Sequence, residues 1–163
     1  MTKAKHSAGL LIYRERNAEL EVFLVHPGGP FWIGKDRAAW SIPKGEYLPS
    51  ENPLDAARRE FVEESGMQVP QGTPLPLTPV KQAGGKIVHA WYLEGDFDAD
   101  AVRSNSFMLE WPPRSGRLRE FPEVDKAAWV PLAAARARLH KGQVGLIDEL
   151  EQLLDARRNS VGN

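Results

Sequence analysis

The stretch GEYLPSENPLDAARREFVEESGM, residues 45–67, carries the most specific pattern in this sequence. It begins at Gly45, reaches Glu51 after five intervening residues, and reaches Arg59 after seven more. From Arg59 onward the order is basic, acidic, apolar, variable, acidic, acidic, variable, glycine and apolar. Nine positions of restricted type at set spacing make this pattern far more specific than an ordinary short motif.

The middle of this stretch has the signals of an α-helix. Pro53 suits the first helical turn, where its missing N–H is not needed. Asn52 directly before it is a good N-cap, with Ser50 as a second option. Gly66 can end the helix in the left-handed conformation. The predicted helix has an apolar stripe that can pack on a sheet, made of Leu54, Ala57, Phe61 and Val62.

Three glutamates of the predicted helix share its other face. Glu60, Glu63 and Glu64 are spaced i, i+3 and i+4. Their carboxylates repel one another, so the cluster adds stability only when a cation neutralises it. Oxygen ligands suit Mg2+ or Mn2+, which can bridge to phosphate oxygens. A solvated acidic face is the simpler alternative, but the glycine, acid and arginine upstream favour a metal site.

The complete stretch resembles the signature box of the Nudix hydrolases, which cleave diphosphate bonds in nucleotide-like substrates. The resemblance implies a Mg2+ cofactor, with Mn2+ as an alternative. It also implies that Glu51 and Arg59 form an internal ion pair that orients the metal ligands and takes no part in the chemistry. The metal ligands that it implies within the box are the Gly45 carbonyl, Glu60, Glu63 and Glu64.

A further acidic residue lies far downstream of the box. Glu123 precedes Trp129 by six residues, and many Nudix enzymes place an extra glutamate at about this distance before a strand tryptophan. The resemblance implies that Glu123 binds metal or serves as general base. A surface acid is the alternative, since Glu120 and Asp125 are close in sequence. The candidate proton acceptors are therefore Glu63, Glu64 and Glu123.

Segments outside the box resemble the diadenosine-tetraphosphate hydrolase branch of the family. These are residues 7–11, the run WSIPKG at residues 40–45, and VHAW at residues 88–91. Lys44 within WSIPKG can approach a phosphate as a compact cation, or it is a solvated lysine in a tight turn. The tyrosine that marks one bacterial group of these enzymes is absent near Gly84. The proline typical of ADP-ribose hydrolases is also absent near Gln82.

Two loops supply weaker candidates for substrate binding. The glycine-rich segment 27–39 contains Phe31, Trp32 and Lys35, which could stack on a base or contact phosphates. The basic segment 111–117 contains Arg114, which could close over a polyphosphate together with Arg117 and Arg119. In both loops the alternative is an exposed side chain with no ligand. The glycines of segment 27–39 do not form a phosphate-loop pattern.

Length and charge indicate one compact enzyme domain. The chain has 163 residues, a formal net charge of −1 and no cysteine. Disulfides and thiolate zinc sites are therefore excluded, and no global basic field is present to hold DNA. No apolar run is long enough to span a membrane, and the N-terminus lacks a signal-peptide pattern. We expect a cytoplasmic protein with a nucleotide substrate, without a membrane or DNA partner, that is a monomer or a homodimer.

The order of the predicted elements favours an α/β fold. The resemblance implies the Nudix α/β/α sandwich, a mixed β-sheet flanked by the box helix and the C-terminal helices. We predict one domain over residues 1–158 and a frayed tail at 159–163. Predicted strands are residues 6–14, 19–26, 40–42, 80–83, 86–95 and 127–130, and predicted helices are the box helix, 132–140 and 144–158.

These inferences converge on a metal-dependent pyrophosphohydrolase that attacks phosphorus with an activated water. Among nucleoside polyphosphates, a dinucleoside tetraphosphate is the favoured substrate. A nucleoside-triphosphate pyrophosphohydrolase is the alternative within the same chemistry. RNA decapping is a third option, and the acidic balance of the chain speaks against it. A nucleotide-binding sensor without catalysis is the alternative of another class.

Overall fold

The structure, a computed structural model, describes residues 4–161. The strands are β1 (His6–Arg16), β2 (Glu19–Pro27), β3 (Lys44–Glu46), β4 (Leu75–Pro76), β5 (Val80–Lys81), β6 (Ile87–Glu94), β7 (Ser106–Glu110), β8 (Leu118–Pro122) and β9 (Val124–Pro131). The α-helices are α1 (Pro53–Ser65), α2 (Leu132–Arg138) and α3 (Val144–Val161), and short 3-10 turns lie at Ala99–Ala101 and Lys141–Gln143.

One mixed sheet forms the centre of the molecule. Its main strand order is β4-β6-β1-β2-β9, with β3 pairing on β1 and β5 on β6. β1 and β6 run parallel, with Leu10 opposite Trp91. β1 and β2 run antiparallel. The residues on β1 are buried from Ser7 to Tyr13, as expected for a central strand covered on both faces.

Helices cover both faces of this sheet. On one face, Ala56, Ala57 and Phe61 of α1 pack in a core with Leu10 and Phe23. The core on the other face is shared with α2 and α3 and includes Leu11, Leu24, Leu139, Leu146, Ile147 and Leu150. The predicted α/β/α sandwich is therefore confirmed, with the acid-bearing helix alone on its side.

The helix α1 has the predicted ends. The Asn52 side chain accepts a hydrogen bond from the Asp55 amide at 3.1 Å. Gly66 closes the helix with φ 71°, and its N–H bonds the Val62 carbonyl. One residue of the predicted stripe was wrong, because Val62 is 46% exposed while Ala56 is buried. Ala57 and Phe61, spaced i and i+4, face the sheet, and Val62 lies one position further around the helix, outside that stripe.

Two tight turns join neighbouring strands of the sheet. Asn17 and Ala18 both have positive φ and join β1 to β2 as a tight hairpin. Gly84 and Gly85 also have positive φ and lie between β5 and β6, where Val80 pairs with Val88.

Several predicted boundaries need correction. Residues 40–42 form no strand of their own, since Trp40 and Ser41 make only isolated bridges, and the strand lies at β3 instead. α2 ends at Arg138, short of the predicted residue 140. α3 continues to Val161, so residues 159–161 of the predicted tail are helical, while 162–163 lie outside the described residues. Within the predicted helix 144–158, Leu150 is buried but Leu153 is 37% exposed.

The sequence prediction missed the short strand β4 and the hairpin of β7 and β8. Ser106 pairs with Pro122 at its root and Glu110 with Leu118 at its far end. The predicted exposed basic segment 111–117 is the connection between these strands. No helix in residues 4–161 is long and apolar enough to cross a membrane.

Candidate active site

The acidic face of α1 lies against β3, the strand that begins at Lys44 near the end of the WSIPKG run. The amide of Lys44 donates to both carboxylate oxygens of Glu64, each at 3.3 Å. Burial raises the pKa of Glu64 from its usual 4.5 to about 8, and the nearby Lys44 opposes this shift. A desolvated carboxyl that holds its proton at neutral pH can instead be neutralised by a bound cation.

The carboxylate of Glu60 fills the space beside Gly45. A Cβ built on Gly45 would overlap the carboxyl carbon and both oxygens of Glu60. Burial also raises the pKa of Glu60, while its bond to Arg59 lowers it. The glycine of the box is therefore required by close approach, since any side chain at this position would displace the acid.

Arg59 links the carboxylates of the box. It forms an ion pair with Glu51, the pair predicted from the sequence. Its guanidinium also lies 3.3 Å from Glu60 and 3.7 Å from Glu63. Arg59 thus supplies positive charge to two members of the predicted metal-binding set and ties the loop before α1 to the helix.

Glu123 approaches this cluster from the connection between β8 and β9. Its carboxyl is close enough to raise the pKa values of Glu60 and Glu64, and its own pKa is raised by burial and by Glu63. The competing acids have other surroundings. Asp125 binds the ring of His26 at 2.7 Å, and Glu120 is exposed on β8. The structure therefore brings Glu123 to the three box glutamates.

Two residues that the sequence analysis did not single out hold Glu123 in place. The Asn105 amide donates to the Glu63 carbonyl at 2.9 Å, and the Asn105 carbonyl accepts from the Glu123 amide at 2.8 Å. The Ser104 hydroxyl accepts from the Val124 amide at 3.0 Å. Ser104 and Asn105 thus connect the end of α1 to Glu123 and the residue after it. These contacts join residues about 20 or more positions apart, so no local sequence signal reveals them.

The predicted substrate-binding residues lie in two places. The Lys44 side chain is largely buried beside the acids, and burial together with Lys86 lowers its pKa. Trp32 and Lys35 lie in the exposed loop 27–39, where the Lys35 ammonium is 5.6 Å from the Trp32 ring centroid. Arg114 is exposed in the turn of the β7–β8 hairpin, with φ 63°. Of the four, only Lys44 adjoins the box carboxylates.

The acids fit a divalent cation by their chemistry, although no ready-made cage exists. Within residues 4–161, no three His, Asp or Glu side chains are already grouped for metal binding. The site nevertheless concentrates carboxylate oxygens whose pKa values at Glu60, Glu64 and Glu123 are all raised. A hard cation with oxygen ligands relieves that unfavourable charge and would draw these flexible side chains together.

The raised pKa of Glu64 predicts a pH-dependent stability. With metal removed by EDTA, the pKa of Glu64 is about 8 in the native state and keeps its usual value of 4.5 in the unfolded state. Between these two pH values the native state holds a proton on Glu64 that the unfolded state has lost. The contribution of Glu64 to the free energy of unfolding therefore falls as the pH rises through that window. Relative to Glu64→Gln, the Tm of the wild type should drop by at least about 3 °C between pH 5 and pH 8, measured by calorimetry. Parallel Tm profiles for the two proteins would contradict the burial of this acid.

The comparison with known families agrees with this geometry. The sequence matches the NUDIX domain over residues 3–150, most of the chain. The chain belongs to the NUDIX family. As a NUDIX hydrolase it acts on nucleoside diphosphate derivatives by cleaving a pyrophosphate bond, and enzymes of this family generally use divalent metal ions. No curated protein sequence matches this chain.

Solved structures of NUDIX proteins share the fold. An Ap4A hydrolase from C. elegans in a binary complex has a TM-score of 0.66 and 23% identity, covering 94% of this chain and 99% of its own. The NUDIX domain of Shewanella oneidensis NrtR with ADP ribose has a TM-score of 0.64 and 16% identity, covering 94% of this chain and 90% of its own. A MutT protein from Methanosarcina mazei Go1 has a TM-score of 0.59 and 18% identity, with 93% and 96% covered.

Proposed function

We propose that this NUDIX hydrolase is a metal-dependent pyrophosphohydrolase of nucleoside polyphosphates, with a dinucleoside tetraphosphate as the favoured substrate. The observation that carries this proposal is the position of Glu64. Its carboxylate accepts from the Lys44 amide, with Glu60 and Glu123 close enough to affect its pKa. A cluster of partly desolvated acids beside a lysine serves no purpose in packing, and it matches what a cation and a polyphosphate require.

The residues that would hold Mg2+, or Mn2+ in its place, come from three elements. Glu60, Glu63 and Glu64 project from α1, Glu123 comes from the connection before β9, and the Gly45 carbonyl belongs to β3. When bound, the cation supplies positive charge that neutralises the diphosphate oxygens and makes a water more acidic. The Glu51–Arg59 ion pair would keep the α1 ligands oriented.

The protein residues contribute proton transfer and orientation. A glutamate with a raised pKa, such as Glu64 or Glu123, is a suitable proton acceptor near neutral pH, and Glu63 on the same face of α1 is the third candidate. The attacking water gives its proton to that carboxylate as its oxygen bonds to phosphorus, and the bridging P–O bond breaks to release a phosphate product. Lys44 lies beside Glu64 and Glu60 and would offset the negative charge of the substrate.

Product analysis over a nucleotide panel tests the proposal. Wild type with Mg2+ in 18O-labelled water is offered dinucleoside tetraphosphates, ordinary and oxidised nucleoside triphosphates, ADP-ribose and capped RNA, and products are read by mass spectrometry. We expect fastest cleavage of dinucleoside tetraphosphates, with the label in one product that identifies the attacked phosphorus. Faster cleavage of triphosphates would favour a nucleoside-triphosphate pyrophosphohydrolase. Binding of a nucleotide without cleavage of any would favour a sensor.

A further inference from the structure

Two segments meet at the backbone of Glu123. The loop 27–39 begins there, because the Gly28 amide donates to the Glu123 carbonyl at 2.9 Å. The β7–β8 hairpin ends there, because β8 finishes at Pro122. Both segments lie outside the box, and the hydrolytic steps described above use neither of them.

The same two segments also meet at their outer parts through aromatic side chains. The rings of Phe31 and Trp111 are 5.4 Å apart with an interplanar angle of 82°. Phe31 is 58% exposed and the neighbouring Trp32 37% exposed. An edge-to-face contact leaves other ring faces free. Phe31 is thus an exposed ring held against the half-buried Trp111 of a separate segment, and an exposed apolar patch of this kind marks a surface for ligand binding.

The two segments that carry these rings are net basic, and two of their basic side chains lie over aromatic rings of the same segments, Lys35 over Trp32 at 5.6 Å and Arg119 over Phe121 at 5.5 Å. The loop 27–39 and the hairpin 106–122 contain five basic and three acidic residues, although the whole chain carries a net charge of −1. Within the described part of the chain, the basic residues have no acidic partner at ion-pair distance, in contrast to those on the sheet such as Arg14. The basic residues are Lys35, Arg37, Arg114, Arg117 and Arg119.

We infer that Phe31, Trp111 and the surrounding basic residues form the nucleoside-binding platform of this enzyme, on which a base of the anionic substrate stacks. Phe31 follows Gly28 by three residues, so their Cα atoms are at most about 11 Å apart. A ribose and a short phosphate chain bridge such a separation from the acids. Base–aromatic stacking accepts any base, and unpaired guanidinium groups attract its phosphates. This inference rests on the proposed function. It assigns a binding site to the nucleoside end of the substrate, the end away from the acids.

Calorimetric binding to wild type and Phe31→Ala, with Mg2+ present, tests the platform. The probes are a methylene-bridged dinucleoside tetraphosphate, which resists hydrolysis, and inorganic tripolyphosphate, which has no base. We expect Phe31→Ala to raise the Kd of the dinucleotide at least about tenfold and to leave the Kd of tripolyphosphate unchanged within about twofold. Phe31→Tyr, which keeps a ring, should retain dinucleotide binding, and Trp111→Ala should weaken it as Phe31→Ala does.

The matched control is Ile33→Ala, in the same loop and 73% exposed. It should bind both probes like the wild type. An unchanged dinucleotide Kd in Phe31→Ala, an equal loss for tripolyphosphate, or a changed oligomeric state with unchanged Kd would overturn the platform. Hydrolysis is measured in parallel. If the wild type cleaves a nucleotide and Phe31→Ala has an unaltered KM, the platform is overturned and the proposed function stands. If binding depends on the ring but no nucleotide is cleaved, the platform is supported and the proposed function is overturned.

Discussion

Glu64→Gln lowers the turnover of the preferred nucleotide at least about a hundredfold while the fold stays intact, as expected for loss of a metal ligand or general base. The variant keeps the shape of the side chain, and its amide oxygen can still accept from the Lys44 amide that now lies 3.3 Å from the carboxylate. It loses the negative charge that a divalent cation needs and the capacity to accept a proton.

Steady-state kinetics with saturating Mg2+ measure this effect, and circular dichroism checks the fold. Glu19→Gln is the control, because Glu19 is exposed at the start of β2 on the opposite end of that strand from the loop 27–39. It should have wild-type turnover. Near-normal turnover of Glu64→Gln would remove Glu64 from the site, and a collapsed fold would mean that its role is structural.

Gly45→Ala is expected to reduce turnover by about 10- to 100-fold at low Mg2+, the range found when the support of metal ligands is removed. The new Cβ would overlap the Glu60 carboxylate. Because that group ends a flexible side chain, it can turn away without unfolding the protein, and the substitution should change Tm by only a few degrees. The damage is therefore to the position of the acid, and raising the Mg2+ concentration should restore part of the activity.

Turnover as a function of Mg2+ concentration measures this effect. Gly145→Ala is the matched control, since the nearest atom to a Cβ there is Val80 Cγ1 at 3.6 Å. It lies in α3, where alanine favours the helix, so activity should be unchanged and Tm slightly higher. A wild-type Mg2+ dependence in Gly45→Ala would show that Glu60 does not need its observed position.

The local signals in residues 45–67 were sufficient to predict the helix and its acidic face. Asn52 and Gly66 cap α1 as expected because capping depends on a few adjacent residues. The spacing of Glu60, Glu63 and Glu64 fixes their common face through the helical repeat. Boundaries outside this stretch were less predictable. Residues 40–42 have strand-like composition, yet Trp40 and Ser41 make only isolated bridges, while the continuous pairing with β1 forms at β3, and pairing is a property of the sheet.

The β7–β8 hairpin shows why other parts were missed. β7 alternates between exposed and half-buried residues, whereas β8 is exposed except at the half-buried Phe121. Both strands contain charged residues, so the apolar pattern is weak. The hairpin is held by its own pairing and by contacts with distant segments, including Gly29 against Phe107 and Phe31 against Trp111. Neither contact has a signature in the sequence.

The sequence by itself determined the family, the box helix and the identity of its acids, because each depends on residue type at short, fixed spacing. Only the tertiary structure decided the surroundings of these acids. Burial beside β3 changes the pKa of Glu64, and Glu123 joins the cluster from about 60 residues away through Asn105 and Gly28. Burial and long-range contact arise when the sheet and both helical layers assemble, so neither can be read from neighbours along the chain.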